Sequence, residues 1–259
     1  MKNLWDDKKA KQYIKEYSKL GVPEDLAIRI YTTHLLGSEK KLVLHGGGNT
    51  SVKSYGKDVF GDKRKIMYVK GSGWDMSNLT NLGMPGLYLE PLLKTLELEK
   101  MSDNKMTNYL RANLLDSDSP NPSVETLLHA YIPKKFIDHT HSNSLLSLVN
   151  LKESKSILNE IFNNKLSIVP YIMPGFELAK LCNKIFYQNN KSEGLLLLNH
   201  GIFTFGNTAK ESYNRMIKYV SIAEKYISKN KKKISLTKNN TNDLITNISP
   251  LFRRYYNEI

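Results

Sequence analysis

The sequence predicts an α/β layered domain around a central sheet, and three observations predict it. Short apolar runs bounded by glycine or proline recur, as in KIMYV at 65–69 and GLLLL at 194–198; runs of this length read as buried strands. Between them lie segments of helical period, clearest where Tyr213, Met216, Ile217, Val220, Ala223 and Ile227 repeat every 3.6 residues. The two kinds alternate irregularly, and no strand-turn-helix unit carries GxGxxG, which argues against a dinucleotide fold.

In chain order, residues 5–20 read as a helix, and Pro23 starts a second, EDLAIRIYTTHLLG, closed by Gly37. LVLH at 42–45 reads as a short strand running into the loop GGGNTS at 46–51, and KIMYV as a strand running into KGSG at 70–73. Residues 106–115 suggest a helix. Pro120 and Pro122 interrupt the chain before SVETLLHAYI at 123–132, a helix that Ser123 is placed to cap. KFIDHTH is a strand, SNSLLSLVN and SILNEIFNN are helices, LSIVPYI a strand and FELAKLCNKIFYQ a helix. GLLLLNHGIFTFG at 194–206 reads as two strands broken at Asn199–Gly201, followed by the long amphipathic helix from Thr208.

Composition narrows the function classes. With 259 residues and 40% hydrophobic content the chain can bury a substantial core. No apolar run is long enough to span a membrane, and MKNLWDDKKAKQ is no signal peptide. The single Cys182 fits a reducing compartment, so the expected location is the cytoplasm. The net charge of +13 comes from lysines spread along the whole chain. Its densest cluster, Lys229, Lys231, Lys232 and Lys233, reads as a solvated tail, and no nucleic-acid signature accompanies it.

Five stretches carry candidate chemistry. His139 and His141 sit two apart at a strand end, which is an ordinary place for polar residues but also aims two imidazoles at one point. The glycine loops GGGNTS and KGSG are tight turns or anion nests. Glu125 and His129, four apart, form a surface pair or place a carboxylate in a cleft as a general base. His200, in the break between two strands, is a polar turn residue or a third ligand, and spacing alone does not bring it to the HxH pair.

Taken in order, LVLHGGGNTSVK, VKGSGWDM, NPSVETLLHAYIP, FIDHTHSNS, VPYIMPGF and HGIFTFG, with the long helix after them, resemble the class II aldolase/adducin family. The likeness runs from about residue 23 to 228. It is strongest to the aldolase part of bifunctional rhamnulose-1-phosphate aldolase/alcohol dehydrogenases. The resemblance implies a three-layer α/β/α domain with a central mixed sheet over residues 1–228, followed by a Lys-rich extension over 229–259, helical or partly disordered. It implies His139, His141 and His200 as ligands of zinc, or of manganese, cobalt or iron, with Glu125 as catalytic acid/base. Gly48, Asn49, Thr50, Ser51, Gly71, Ser72 and Ser123 match its phosphate-binding stretches. The implied reaction is cleavage of a ketose 1-phosphate to dihydroxyacetone phosphate and an aldehyde such as lactaldehyde. The implied assembly is a homotetramer with sites between subunits, where a neighbour's tyrosine completes each site.

Two features depart from the pattern. Val124 stands where the family has serine. No dinucleotide fingerprint accompanies the aldolase motifs; either a separate aldehyde dehydrogenase or reductase handles the product, or that oxidation does not occur here. The scaffold also supports sugar-phosphate or sugar-acid decarboxylases, epimerases and dehydratases. A non-catalytic adducin-like module would lack the histidines that are present here. A nucleic-acid binder would have to rest on the lysine excess alone.

Overall fold

The computed structural model describes residues 1–152 and 154–230. The lysine-rich stretch expected over 229–259 falls almost wholly outside the described residues. Contacts divide the chain into Met1–Ile227 and Ser228–Ile259.

Within the first unit the sheet has seven strands in the order β3-β2-β1-β4-β7-β6-β5. They are β1 (Asn49–Lys57), β2 (Lys63–Val69), β3 (Gly86–Tyr88), β4 (Phe136–Thr140), β5 (Leu166–Val169), β6 (Gly194–Leu197) and β7 (Gly201–Gly206). All neighbours run antiparallel except β5 and β6, so the sheet is mixed. The helices are α1 (Asp7–Ser18), α2 (Glu24–Gly37), α3 (Leu89–Lys94), α4 (Asp103–Ala112), α5 (Thr126–Tyr131), α6 (Asn143–Val149), α7 (Ser154–Phe162), α8 (Phe176–Gln188) and α9 (Ala209–Asn230).

Strand alternation sends side chains to two faces. Ile137, Leu195, Leu197, Phe203 and Phe205 pack with α3, α4, α5 and α8. Leu166, Leu196 and Ile202 pack with α6, α7 and α9, and Val52 and Phe136 pack with α2. This is the expected arrangement of helices on both faces of a mixed sheet.

Three readings of local structure change. LVLH is not a strand. Leu42 and Val43 donate to the Glu39 carbonyl, Gly47 to that of Leu44, and His45 has a left-handed φ of 51°. The segment is a pair of turns that drops two apolar side chains into the core, and the strand begins only after the glycines, at Asn49. Ser123 does not cap α5. The helix starts at Thr126, and the Ser123 Oγ instead accepts from Glu125 N and the Asn49 amide. His141 lies just past the end of β4.

A buried ion pair braces the middle of the sheet. Arg29 on α2 meets Asp138 on β4, both fully buried, and its Nη1 donates to the carbonyls of Ser51 and Ile137 at 3.3 Å. One side chain thus ties α2 to the neighbouring strands β1 and β4.

Candidate active site

Register brings distant residues together. β1 and β4 pair antiparallel with Asn49 opposite His139, and β4 and β7 pair with Thr140 opposite Ile202. The start of β1, the end of β4 and the start of β7 therefore meet at one edge of the layer. His200 sits in the three-residue hairpin between β6 and β7, where Asn199 takes a left-handed φ of 55°. Gly201 follows because nothing larger fits. A Cβ there would lie 2.6 Å from the Thr140 carbonyl oxygen and 3.1 Å from the His141 ring.

The three imidazoles converge. One nitrogen of each of His139, His141 and His200 lies within 4.8 Å of the others. His139 Nε2 is 2.9 Å from His141 Nε2, and the His139 ring stacks on Phe203 at 4.0 Å between centroids. His139 Nδ1 donates to the Ile202 carbonyl at 3.0 Å, which leaves Nε2 as the lone-pair nitrogen facing the cluster. Burial lowers all three pKa values, that of His200 to about 4 and that of His139 well below the ordinary range. At neutral pH the set is three neutral imidazoles.

Glu125 closes the cluster. Its Oε1 is 3.3 Å from His200 Nε2 and its Oε2 3.4 Å from His139 Nε2. Asn49 Nδ2 donates to Oε2 at 2.7 Å, while Oε1, though buried, makes no hydrogen bond among the described residues. Desolvation raises the carboxyl to about 7, against the Asn49 hydrogen bond and the Lys70 charge. Of the two readings of Glu125 and His129, the surface pair does not hold. Both are buried, and Asn49 lies between them, with its Oδ1 against His129 Nε2.

These residues fit a divalent cation. Tetrahedral ligation at ordinary zinc–nitrogen lengths of about 2.0–2.1 Å would put nitrogens about 3.3 Å apart; the His139–His141 separation of 2.9 Å and the overall spread of up to 4.8 Å lie on either side of that value. Three imidazole nitrogens converging on one point are what such an ion would satisfy.

The other expected residues divide into two groups. Gly48, at φ 64°, turns the chain into β1, and a Cβ there would sit 2.7 Å from the His139 carbonyl oxygen. Asn49 and Ser123 lie beside Glu125. Thr50 and Ser51 do not reach the site surface. Both are fully buried, with their hydroxyls held by Thr33 and His129 at 2.7 Å. The backbone N–H groups of Gly71 and Ser72 go to the carbonyls of Gly83 and Asn121 at 2.8 Å, although the Ser72 residue itself is exposed. The two glycine loops abut, because a Cβ on Gly46 would lie 3.0 Å from the Gly73 oxygen. Lys70 staples them, its Nζ donating to Gly46 and Trp74 carbonyls at 3.0 and 2.7 Å. Sequence reading missed this staple; a lysine directly after a buried strand was its only mark.

A family model described as the class II aldolase and adducin N-terminal domain matches residues 29–227. The chain belongs to this family. It is 35% identical over 228 residues to a Bacillus subtilis (strain 168) protein named as the uncharacterized oxidoreductase YuxG, covering 88% of this chain. The chain spans only 32% of that relative's length. The N-terminal class II aldolase domain of a conserved Thermoplasma acidophilum protein superposes with a TM-score of 0.73 at 38% identity, over 77% of this chain and 92% of that one. A sugar-phosphate aldolase from Thermotoga maritima shares the fold, with a TM-score of 0.60 at 18% identity over 86% of this chain and 97% of that one. Among the described residues of this class II aldolase family member, no helix is long and apolar enough to cross a membrane.

The buried imidazoles set an expected acid response. His34, His129, His139, His141 and His200 all have lowered pKa values in the folded protein, each chiefly through burial. The unfolded chain protonates them first, near the ordinary 6.5. Their stabilisation is present above that value and is lost as pH falls toward the folded pKa values, about 4 for His200. The raised carboxyls of Glu125 and Asp138 work the other way, two groups against five. Metal-stripped protein is expected to show a melting temperature that falls steadily from pH 7 to pH 5 in a calorimetric series; a flat or rising Tm contradicts the neutral-imidazole assignment.

Proposed function

We infer that this chain is a metal-dependent class II aldolase. It cleaves a ketose 1-phosphate, rhamnulose 1-phosphate or a similar deoxyketose phosphate, to dihydroxyacetone phosphate and an aldehyde such as lactaldehyde. The observation that carries the reading is the Glu125 oxygen that has no hydrogen-bond partner among the described residues and lies 3.3 Å from His200, at the edge of a cluster of three neutral imidazoles. A carbon acid needs a base beside an electrophile; Glu125 would be the base, and a cation held by the three imidazoles would be the electrophile.

His139, His141 and His200 would hold the cation, zinc by preference for a set of imidazoles, with manganese, cobalt or iron as substitutes. The ion would supply Lewis acidity toward the substrate carbonyl. Glu125, with a pKa of about 7, delivers a proton to the three-carbon fragment after the C3–C4 bond breaks and removes it in the reverse direction. A pKa near the working pH suits both roles. Asn49 holds the other carboxylate oxygen. The abutting glycine loops, with Ser72 at the surface and Ser123 behind, orient the phosphate end. Val124 supplies no hydroxyl there, so this part of the cradle relies on the loops.

Residues 1–228 form the catalytic domain in this reading and 229–259 a lysine-rich extension. The assembly is a cytoplasmic homotetramer with sites between subunits. The test is a purified-protein screen with zinc, manganese, cobalt and iron in turn. Triose phosphate released from rhamnulose 1-phosphate or a sibling ketose 1-phosphate is the expected result. Release of carbon dioxide, or isomerised sugar without triose phosphate, would overturn the aldolase reading.

A further inference from the structure

His129 is fully buried, reaches Glu125 through Asn49, and is not one of the three converging imidazoles. Both its ring nitrogens are engaged: Nε2 with Asn49 Oδ1, and Nδ1 with Ser51 Oγ at 2.7 Å. Asn49 in turn donates from Nδ2 to Glu125 Oε2 at 2.7 Å and to Ser123 Oγ at 3.0 Å. Phe203 packs edge-on against the His129 ring at 5.5 Å.

The direction of every bond in this row follows from chemistry. In the base form of Glu125 the ionised carboxylate only accepts, and in that form Asn49 must turn its NH2 toward Glu125. Its Oδ1 must then face His129, and His129 Nε2 must carry a proton. Burial and the nearby Lys53 and Arg29 charges keep this imidazole neutral. Nδ1 is therefore an acceptor, and the Ser51 hydroxyl donates to it. The row runs from Ser51 through His129 and Asn49 to Glu125 in one sense only. A flipped Asn49 would set two acceptors against each other at 2.7 Å.

We propose that His129 is a positioning residue for Glu125, acting through Asn49 to tether Oε2 so that Oε1 is the oxygen presented to the reacting carbon. The proposal rests on the acid/base role given to Glu125 above. It explains why one carboxylate oxygen is held by a fixed donor while the other has no partner among the described residues. An oxygen held in place before substrate arrives needs no reorganisation at the moment of proton transfer. It also accounts for Ser51, which the site surface does not use: its hydroxyl holds the imidazole in the tautomer that the row requires.

Two readouts test it. The first is independent of turnover. Nitrogen-15 spectra of metal-free protein are expected to show His129 as the Nε2–H tautomer, with a slowly exchanging Asn49 side-chain amide that becomes fast-exchanging in His129→Leu. An Nδ1–H tautomer, or an Asn49 amide unchanged in His129→Leu, overturns the proposal. The second is kinetic, on the metal-loaded protein. His129→Leu is expected to lower kcat by about 10–100-fold, the usual cost of losing a supporting partner, with KM and metal content within about twofold of wild type. His129→Gln, which restores an N–H toward Asn49, is expected to recover most of the rate.

Ser51→Ala, a smaller change, is expected to lower kcat in the same way and serves if His129→Leu fails to fold. A loss confined to KM or to metal content, or folded variants at the wild-type rate, overturns the proposal. If wild-type protein cleaves no ketose 1-phosphate, the aldolase reading fails, and the spectra still decide the row.

Discussion

Glu125→Gln is expected to lower kcat by about 10²–10⁴-fold, the usual worth of a positioned acid or base, while the metal stays bound. Glutamine is nearly the same size and still offers an oxygen to Asn49 Nδ2, so the row beneath the site survives. What it cannot do is exchange a proton near neutral pH. The imidazoles that would hold the cation are untouched, so metal content by elemental analysis should match wild type. KM should shift little, because in the proposed reading the loops, and not this carboxylate, would hold the phosphate end. His200→Ala gives the complementary pattern, in which metal and turnover are lost together. Glu125→Gln protein that turns over at the wild-type rate would remove Glu125 from the chemistry and leave the cluster as a binding site only.

The parts of this site differ in how far they could be read from the sequence. Helix α8 was legible as FELAKLCNKIFYQ because its apolar positions repeat at helical spacing and Gly175 and Asn189 bound it. The break before β7 was legible because Asn-His-Gly is turn chemistry, and Asn199 does take the left-handed conformation. The meeting of His200 with the HxH pair was not legible in spacing. It is set by the register of β4 against β7, a long-range property that local pattern does not encode. The same holds for Asn49 opposite His139. LVLH misled because an apolar run signals burial, and here the burial is delivered by turns. Thr50 and Ser51 looked like ligands by their chemistry, but strand alternation turns the two hydroxyls to opposite faces of β1, both in the interior. The three-residue β3 and six-residue α3 are too short to show a period at all.

One long-range pair did leave a mark in the sequence: an arginine inside the apolar run of α2 and an aspartate inside the apolar strand β4. Both side chains are fully buried and meet as an ion pair. Arg29→Met is therefore expected to destabilise the protein by about 3–5 kcal/mol, because it strands the Asp138 carboxylate in the core with, among the described residues, the Ser212 hydroxyl alone to meet it. Asp138→Leu should cost a similar amount by stranding the guanidinium. The double variant Arg29→Met/Asp138→Leu should recover much of that loss, since no charge is left buried and two apolar groups fill the space.

Stability and site geometry should separate in this series. Arg29 also donates to the carbonyls of Ser51 and Ile137, on the two strands whose ends carry Asn49 and His139. The double variant regains folding free energy without regaining that brace. Urea midpoints should fall in each single variant and return most of the way in the double variant. Metal affinity, measured by competition with a chelating dye, should stay weakened in all three. Single variants that unfold at the wild-type urea concentration would mean that the pair is solvated and contributes nothing to the core. A double variant with wild-type metal affinity would mean that the cluster is held by its own strands without help from α2.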